Sequence, residues 1–146
     1  MKLLLISPRH DIEDKFESPL SAFDASVGGY EMTPSTSIAA VAGLVPPQID
    51  VTLCNEPTQQ IDYATDADVI GITANVAQAE RALDIADRFK SLGKTVVFGG
   101  PHVSLAPDVF AGHCDSMVVG ELESVSEAFF ADMAAGALKP RYDAPA

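Results

Sequence analysis

Cysteine is scarce in this chain: Cys54 and Cys114 are the only two, far apart and without CxxC spacing. No disulfide framework or zinc site follows from them, and both read as small buried hydrophobes. Basic residues are also few, nine against 21 acidic ones, for a net charge of −12. A surface of that sign repels nucleic acid and anionic membranes, and no basic run offsets it. Long apolar runs are missing. The opening MKLLLIS is too short for a signal-peptide core or a membrane span, and PRHDIEDK follows at once. The chain reads as cytoplasmic, with neither nucleic acid nor membrane as partner. Catalytic signatures are absent too: there is no GxSxG, P-loop or HExxH. No GxGxxG follows the first apolar run, which argues against a dinucleotide site.

What is present is a core. The 146 residues are 47% apolar, enough for one domain of ordinary size. Five short runs, KLLLIS (2–7), DVTLC (50–54), DVIGIT (68–73), TVVFGG (95–100) and SMVVG (116–120), are near-continuous and rich in Val, Ile and Leu. That is how parallel strands covered on both faces read. Helical patterns separate them. In residues 76–93, Val76, Ala79, Leu83, Ala86, Phe89 and Leu92 recur at helical spacing, and Gly93 is a natural stop. Residues 124–136 open on Ser124-x-x-Glu127, a capping box, and end at Gly136. Residues 36–45 form a helix ended by Pro46-Pro47, and 106–113 a short one; 55–67 allow one turn at most.

The order predicts an α/β domain. It is a three-layer, flavodoxin-like (Rossmann-like) fold with a five-stranded parallel sheet of order 2-1-3-4-5 and right-handed crossovers. The domain is read as 1–138 and the tail KPRYDAPA, 139–146, as a linker with neither helix nor strand. Residues 9–35 form a long irregular segment dotted with Phe16, Phe23 and Tyr30. Loops of that length in compact domains are usually functional, and this one is expected to close over a ligand.

Open α/β sheets bind ligands beyond the carboxyl ends of their strands. Here those ends carry Ser7-Pro8-Arg9-His10, Thr73-Ala74-Asn75, Gly99-Gly100-Pro101-His102 and Gly120-Glu121-Leu122-Glu123. A groove floored by bare backbone suits a large flat ligand. Each group also has a structural reading. Gly99-Gly100 can be a plain turn, His10 and His102 surface or capping residues, and Thr73 an N-cap. Glu121 and Glu123 precede a helix start, where the dipole favours carboxylates. A phosphoacceptor domain of this fold needs an aspartate ending strand 3, where Thr73 stands. A flavodoxin needs a Ser/Thr/Gly-rich phosphate loop after strand 1, and SPRHDIED is a poor one.

The ordered set ADVIGIT, GGPH followed by a Pro-containing helix, and VVGELE resembles the N-terminal cobalamin-binding domain of cobalamin-dependent radical SAM proteins. The resemblance continues upstream through LLLISPR, TPSTSIAAVAGLVPP and IDVTLCNE. The family has GE-small-E at the last motif; Leu122 departs from it, while Glu123 is kept. The resemblance implies a corrin ring over the carboxyl edge of the sheet, with the dimethylbenzimidazole tail in the groove between strands. Gly99 and Gly100 would let the tail pass close to backbone, and Thr73 and Asn75 would bond its phosphate or ribose. Gly120, Glu121 and Glu123 would border the groove, and Ser7, Pro8 and Arg9 would face the lower side of the corrin. Ala74, Pro101 and His102 complete the set of cofactor-binding residues. Methionine-synthase-type domains ligate cobalt through the histidine of DxHxxG. Here Pro8 stands for the aspartate and Glu13 for the glycine, so His10 is a candidate for cobalt that the pattern does not assign. Radical SAM relatives often lack that histidine and leave the lower face open or water-bound, which is the expectation here.

Radical SAM domains carry CxxxCxxC for a 4Fe–4S cluster, and two isolated cysteines cannot supply it. S-adenosylmethionine and the cluster are therefore expected in a C-terminal radical SAM domain in cis, reached through the 139–146 linker. The chain is expected to be non-catalytic alone and to present a corrinoid, methylcobalamin, for methyl transfer. The alternative is a flavodoxin-like or receiver-like interaction domain without cofactor, docking a partner through its acidic surface.

Overall fold

The computed structural model describes residues 1–10 and 35–145. The elements are β1 (Lys2–Ser7), α1 (Thr36–Leu44), β2 (Asp50–Asn55), β3 (Val69–Thr73), α2 (Ala79–Ser91), β4 (Thr95–Gly99), α3 (Pro101–Leu105), α4 (Pro107–Phe110), β5 (Ser116–Val119), α5 (Ser126–Ala134) and β6 (Arg141–Asp143). Short 3-10 turns at Val76–Gln78 and Leu122–Ser124 precede α2 and α5. The strands form one sheet of order β2-β1-β3-β4-β5-β6, and every pairing is parallel.

The five expected strands stand in the expected order, and a sixth extends them. Residues 141–143, read from sequence as part of a tail without strand, pair with β5 through Met117–Arg141, Val118–Tyr142 and Val119–Asp143. Three residues flanked by Pro140 and Pro145 give no run long enough to read. Tertiary contacts fix them instead. Tyr142 is buried edge-on against Phe129. Its hydroxyl donates to Asp132 Oδ2 at 2.7 Å and accepts from the Lys139 amide at 3.0 Å.

Alternation along the strands divides the core into two layers. Leu4, Ile6, Ile70, Ile72, Val96 and Phe98 face Ala82, Ile85, Ala86 and Phe89 of α2, with Val103 and Phe110. Leu3, Leu5, Val69, Val97 and Val118 face Ile38 of α1 and Phe129, Phe130 and Met133 of α5. Each fully buried Ile or Phe contributes about 1.5–3 kcal/mol. The expected α2 stripe packs on the first of these layers through Ala79, Leu83, Ala86 and Phe89, and Ala82 and Ile85 widen it. Ala82, Ile85, Ala86 and Phe89 (i, i+3, i+4, i+7) are buried, while Val76 and Leu92 are exposed. The β2 strand departs from expectation as well: it is an edge strand, and Val51 and Leu53 are 37% and 39% exposed.

The amino edge of the sheet is stitched by charge. Lys2 pairs with Asp66, Lys90 with Asp115 at 2.5 Å, and Lys94 Nζ donates to the Ala67 carbonyl at 2.8 Å. Cys54 is buried and Cys114 half-buried. Burial, with Asp115 beside it, pushes the Cys114 thiol up to about 11.

Candidate functional site

The chain turns from β1 to β2 on one side of the sheet and then to β3 on the other. The switch point therefore lies between β1 and β3, whose Ile6 and Ile72 are register partners. At the carboxyl ends, Thr73 pairs with Gly99. Strand parity puts both on the layer of Val69 and Val97, beyond the last apolar side chains of that face. A Cβ placed on Gly99 meets nothing within 4 Å, so this position is open space floored by backbone.

Gly100 is a glycine for the opposite reason. Its φ of +107° lies in a region L side chains avoid. A Cβ there would stand 2.6 Å from Thr73 Oγ1 and 3.0 Å from both N and O of Ala74. The exits of β3 and β4 are pressed together at this point. The Ala74 amide donates to the Gly99 carbonyl, and the His102 amide to the Ala74 carbonyl, both at 3.0 Å. Ala74 is thus buried in the join. Pro101 is the exposed first residue of α3. The His102 ring stands edge-on to the core residue Phe110, centroids 5.7 Å apart.

Asn75, not Thr73, caps the helix that follows β3. Its side-chain oxygen accepts from the Ala77 and Gln78 amides at 2.9 and 3.1 Å, while Gln78 Oε1 accepts from the Asn75 amide at 3.1 Å. The capping box expected at Ser124 and Glu127 does not form: α5 begins at Ser126 without a side-chain cap. The Ser124 and Ser126 hydroxyls instead donate to the carbonyls of Glu121 and Glu123. Glu121 and Glu123 are both exposed beside Gly120. Gly120 donates its amide to Ser104 Oγ at 2.9 Å, and at φ +90° it leaves room for Ala144 Cβ.

Ser7 and Pro8 are buried rather than displayed. Gln78 Nε2 donates to the Pro8 carbonyl at 2.6 Å and lies 3.4 Å from Ser7 Oγ. The Arg9 amide donates to Glu56 Oε2 at 3.0 Å, and Arg81 bonds the same carboxylate from Nε and Nη2 at 2.9 and 2.5 Å. Burial pushes the Glu56 carboxyl up, but the Arg81 and Arg9 hydrogen bonds and charges outweigh it, so it titrates below the ordinary range. His10, half-buried, is the last described residue of this loop, and the aromatic-dotted stretch 11–34, expected to close over a ligand, lies outside the described residues.

A sequence model of the B12 binding domain matches residues 28–130. The chain belongs to the B12-binding domain family. It is 41% identical over 108 residues to a bacteriochlorophyllide d C-8(2)-methyltransferase of Chlorobaculum tepidum, covering 73% of this chain and 24% of that protein. It is 36% identical over 111 residues to the C-12(1)-methyltransferase of the same organism, covering 74% and 24%. An uncharacterised methyltransferase of Pyrococcus horikoshii is 27% identical over 136 residues, covering 84% and 27%. The chain thus spans about a quarter of the length of these relatives.

The residues of this B12-binding domain leave room for a corrinoid tail: an open backbone floor at Gly99, in register with Thr73 of the neighbouring strand, at the carboxyl edge of the sheet. Among the described residues no three His, Cys, Asp or Glu side chains gather as metal ligands, and no helix is long and apolar enough to cross a membrane. Sequence reading missed Glu56, Gln78, Arg81 and Ser104. The Asn75-x-x-Gln78 spacing was the available signal for Gln78; the others meet their partners only through the fold.

Proposed function

We propose that this B12-binding domain holds cobalamin at the carboxyl edge of its sheet and presents it to a separate catalytic domain for methyl transfer. The open space at the Gly99 Cβ position, level with Thr73, carries this reading. The tail would lie against Gly99, with Thr73 and the Asn75 amide group as its polar neighbours. Gly120, Glu121 and Glu123 would border the groove, and the Ser7–His10 loop would face the lower side of the corrin. The exposed Val76 and Leu105, 75% and 84% accessible, offer an apolar rim near that edge. When bound as methylcobalamin, the cofactor supplies a transferable methyl group on cobalt. A corrinoid brings its metal already ligated in the ring, so the domain's own task is to bind, orient and shield.

Methyl transfer is supported by the similarity to methyltransferases. The reaction would take place in a radical SAM domain in cis, which would contribute S-adenosylmethionine and a 4Fe–4S cluster. An unactivated carbon is the expected methyl acceptor, and the cytoplasm the expected setting. The test is to mix the chain with hydroxocobalamin in the dark, desalt it and record the visible spectrum. Corrinoid bands retained at near-equal stoichiometry are expected. A colourless protein, in this chain and in a longer one carrying the following domain, overturns the reading in favour of an interaction module.

A further inference from the structure

One peptide unit of the β1 loop is held from both sides. The carbonyl of Pro8 accepts from Gln78 Nε2 at 2.6 Å, and the amide of Arg9 donates to Glu56 Oε2 at 3.0 Å. These two groups are the ends of a single planar unit, so fixing both fixes its tilt. Each holding side chain is itself held. Gln78 accepts the Asn75 amide, and Glu56 is bonded by Arg81 of α2. The supports come from the exits of β2 and β3 and from α2. Gln78 is 6% exposed and Pro8 fully buried.

We propose that Gln78 and Glu56 are positioning residues that clamp the Pro8–Arg9 peptide and thereby aim Arg9 and His10 at the bound corrinoid. An apolar residue at position 78 would fill the same space but select no loop position. The amide is satisfied in one arrangement only, and a shifted partner leaves it buried without a hydrogen bond. The inference rests on the cobalamin reading for what the loop faces, not for the clamp itself.

The full chain tests both parts separately. Without corrinoid, Gln78→Leu is expected to speed hydrogen exchange of the Arg9 amide at least tenfold, because Arg9 stays hydrogen-bonded to Glu56 only while the peptide keeps its tilt. Titrated with hydroxocobalamin, the same variant is expected to bind at least tenfold more weakly. Gln78→Glu gives a readout that loss of packing cannot mimic. The introduced carboxylate still accepts the Asn75 amide but repels the Pro8 carbonyl, and once protonated it donates there again. Glu56 and Arg81, which meet at the clamped peptide, and the loop residues Arg9 and His10 are common to both proteins, so the ratio of variant to wild type isolates the new carboxyl. The ratio of variant to wild-type Kd is therefore expected to fall toward one as the pH is lowered from 7 to 5. Unchanged exchange in Gln78→Leu overturns the clamp. Faster exchange with unchanged affinity and no pH recovery overturns its role toward the cofactor and leaves the cobalamin reading standing. Wild-type protein that retains no corrinoid overturns both.

Discussion

Gly99 and Gly100 are neighbours with different duties. Gly100 is imposed by the protein, by a positive φ and a 2.6 Å approach to Thr73 Oγ1. Gly99 carries no such constraint, and its missing side chain leaves room. Gly100→Ala is expected to destabilise the fold whether or not corrinoid is present. Backbone strain alone accounts for about 1–3 kcal/mol, measured by urea denaturation. Gly99→Val is expected to fold within about 0.5 kcal/mol of wild type, because a β-branched residue suits a strand end. It is expected to weaken hydroxocobalamin binding by a factor of ten or more, about 1.4 kcal/mol. Equal binding by Gly99→Val would place the tail elsewhere.

The start of α2 is where one element serves another. Its turn is capped by Asn75, and the same turn delivers Gln78 to the β1 loop. Arg81, one helical turn on, meets Glu56 at the exit of β2. Since the Glu56 carboxyl titrates lower in the folded chain than in the unfolded one, it stabilises the fold above its unfolded pKa. That contribution is lost as the pH falls through the folded value. Acidification below about pH 4 is therefore expected to lower the melting temperature. Glu56→Gln should show a shallower decline over that window and a lower melting temperature at pH 7. Parallel slopes for the two proteins would remove Glu56 from the account.

At the scale of the molecule, β6 closes the sheet and returns the chain to the carboxyl edge, where the Ala144 amide donates to the Val119 carbonyl at 2.8 Å. Tyr142 is its anchor. Tyr142→Ala is expected to lower stability by about 3–5 kcal/mol, the scale of removing a buried aromatic. Tyr142→Phe is expected to lose about 1.5–3 kcal/mol with the hydroxyl bond to the Asp132 carboxylate. If chemical denaturation shows wild-type stability for both variants, β6 is not part of the cooperative unit.

The sequence by itself determined the parallel α/β class, the order of five strands and the edge on which to look. Val- and Ile-rich runs, helical spacing and strand-end glycines are local signals, and each points the same way. It also carried Asn75-x-x-Gln78, a cap legible in four residues. The tertiary structure decided the rest. Three residues of β6 have too little pattern to be read and are fixed by Phe129 and Asp132. The stripe of α2 gained Ala82 and Ile85 and lost Val76 and Leu92 at its ends, because only the packed sheet selects which of several apolar positions it covers. Ser7 and Pro8 are buried where Gln78, some seventy residues away in the chain, meets them, and no local pattern records that contact. Glu56 and Arg81 are ordinary charges in sequence and become a joint only when β2 and α2 are side by side. The two glycines differ for the same reason. What surrounds a missing side chain is set by neighbouring strands, and no local pattern records it.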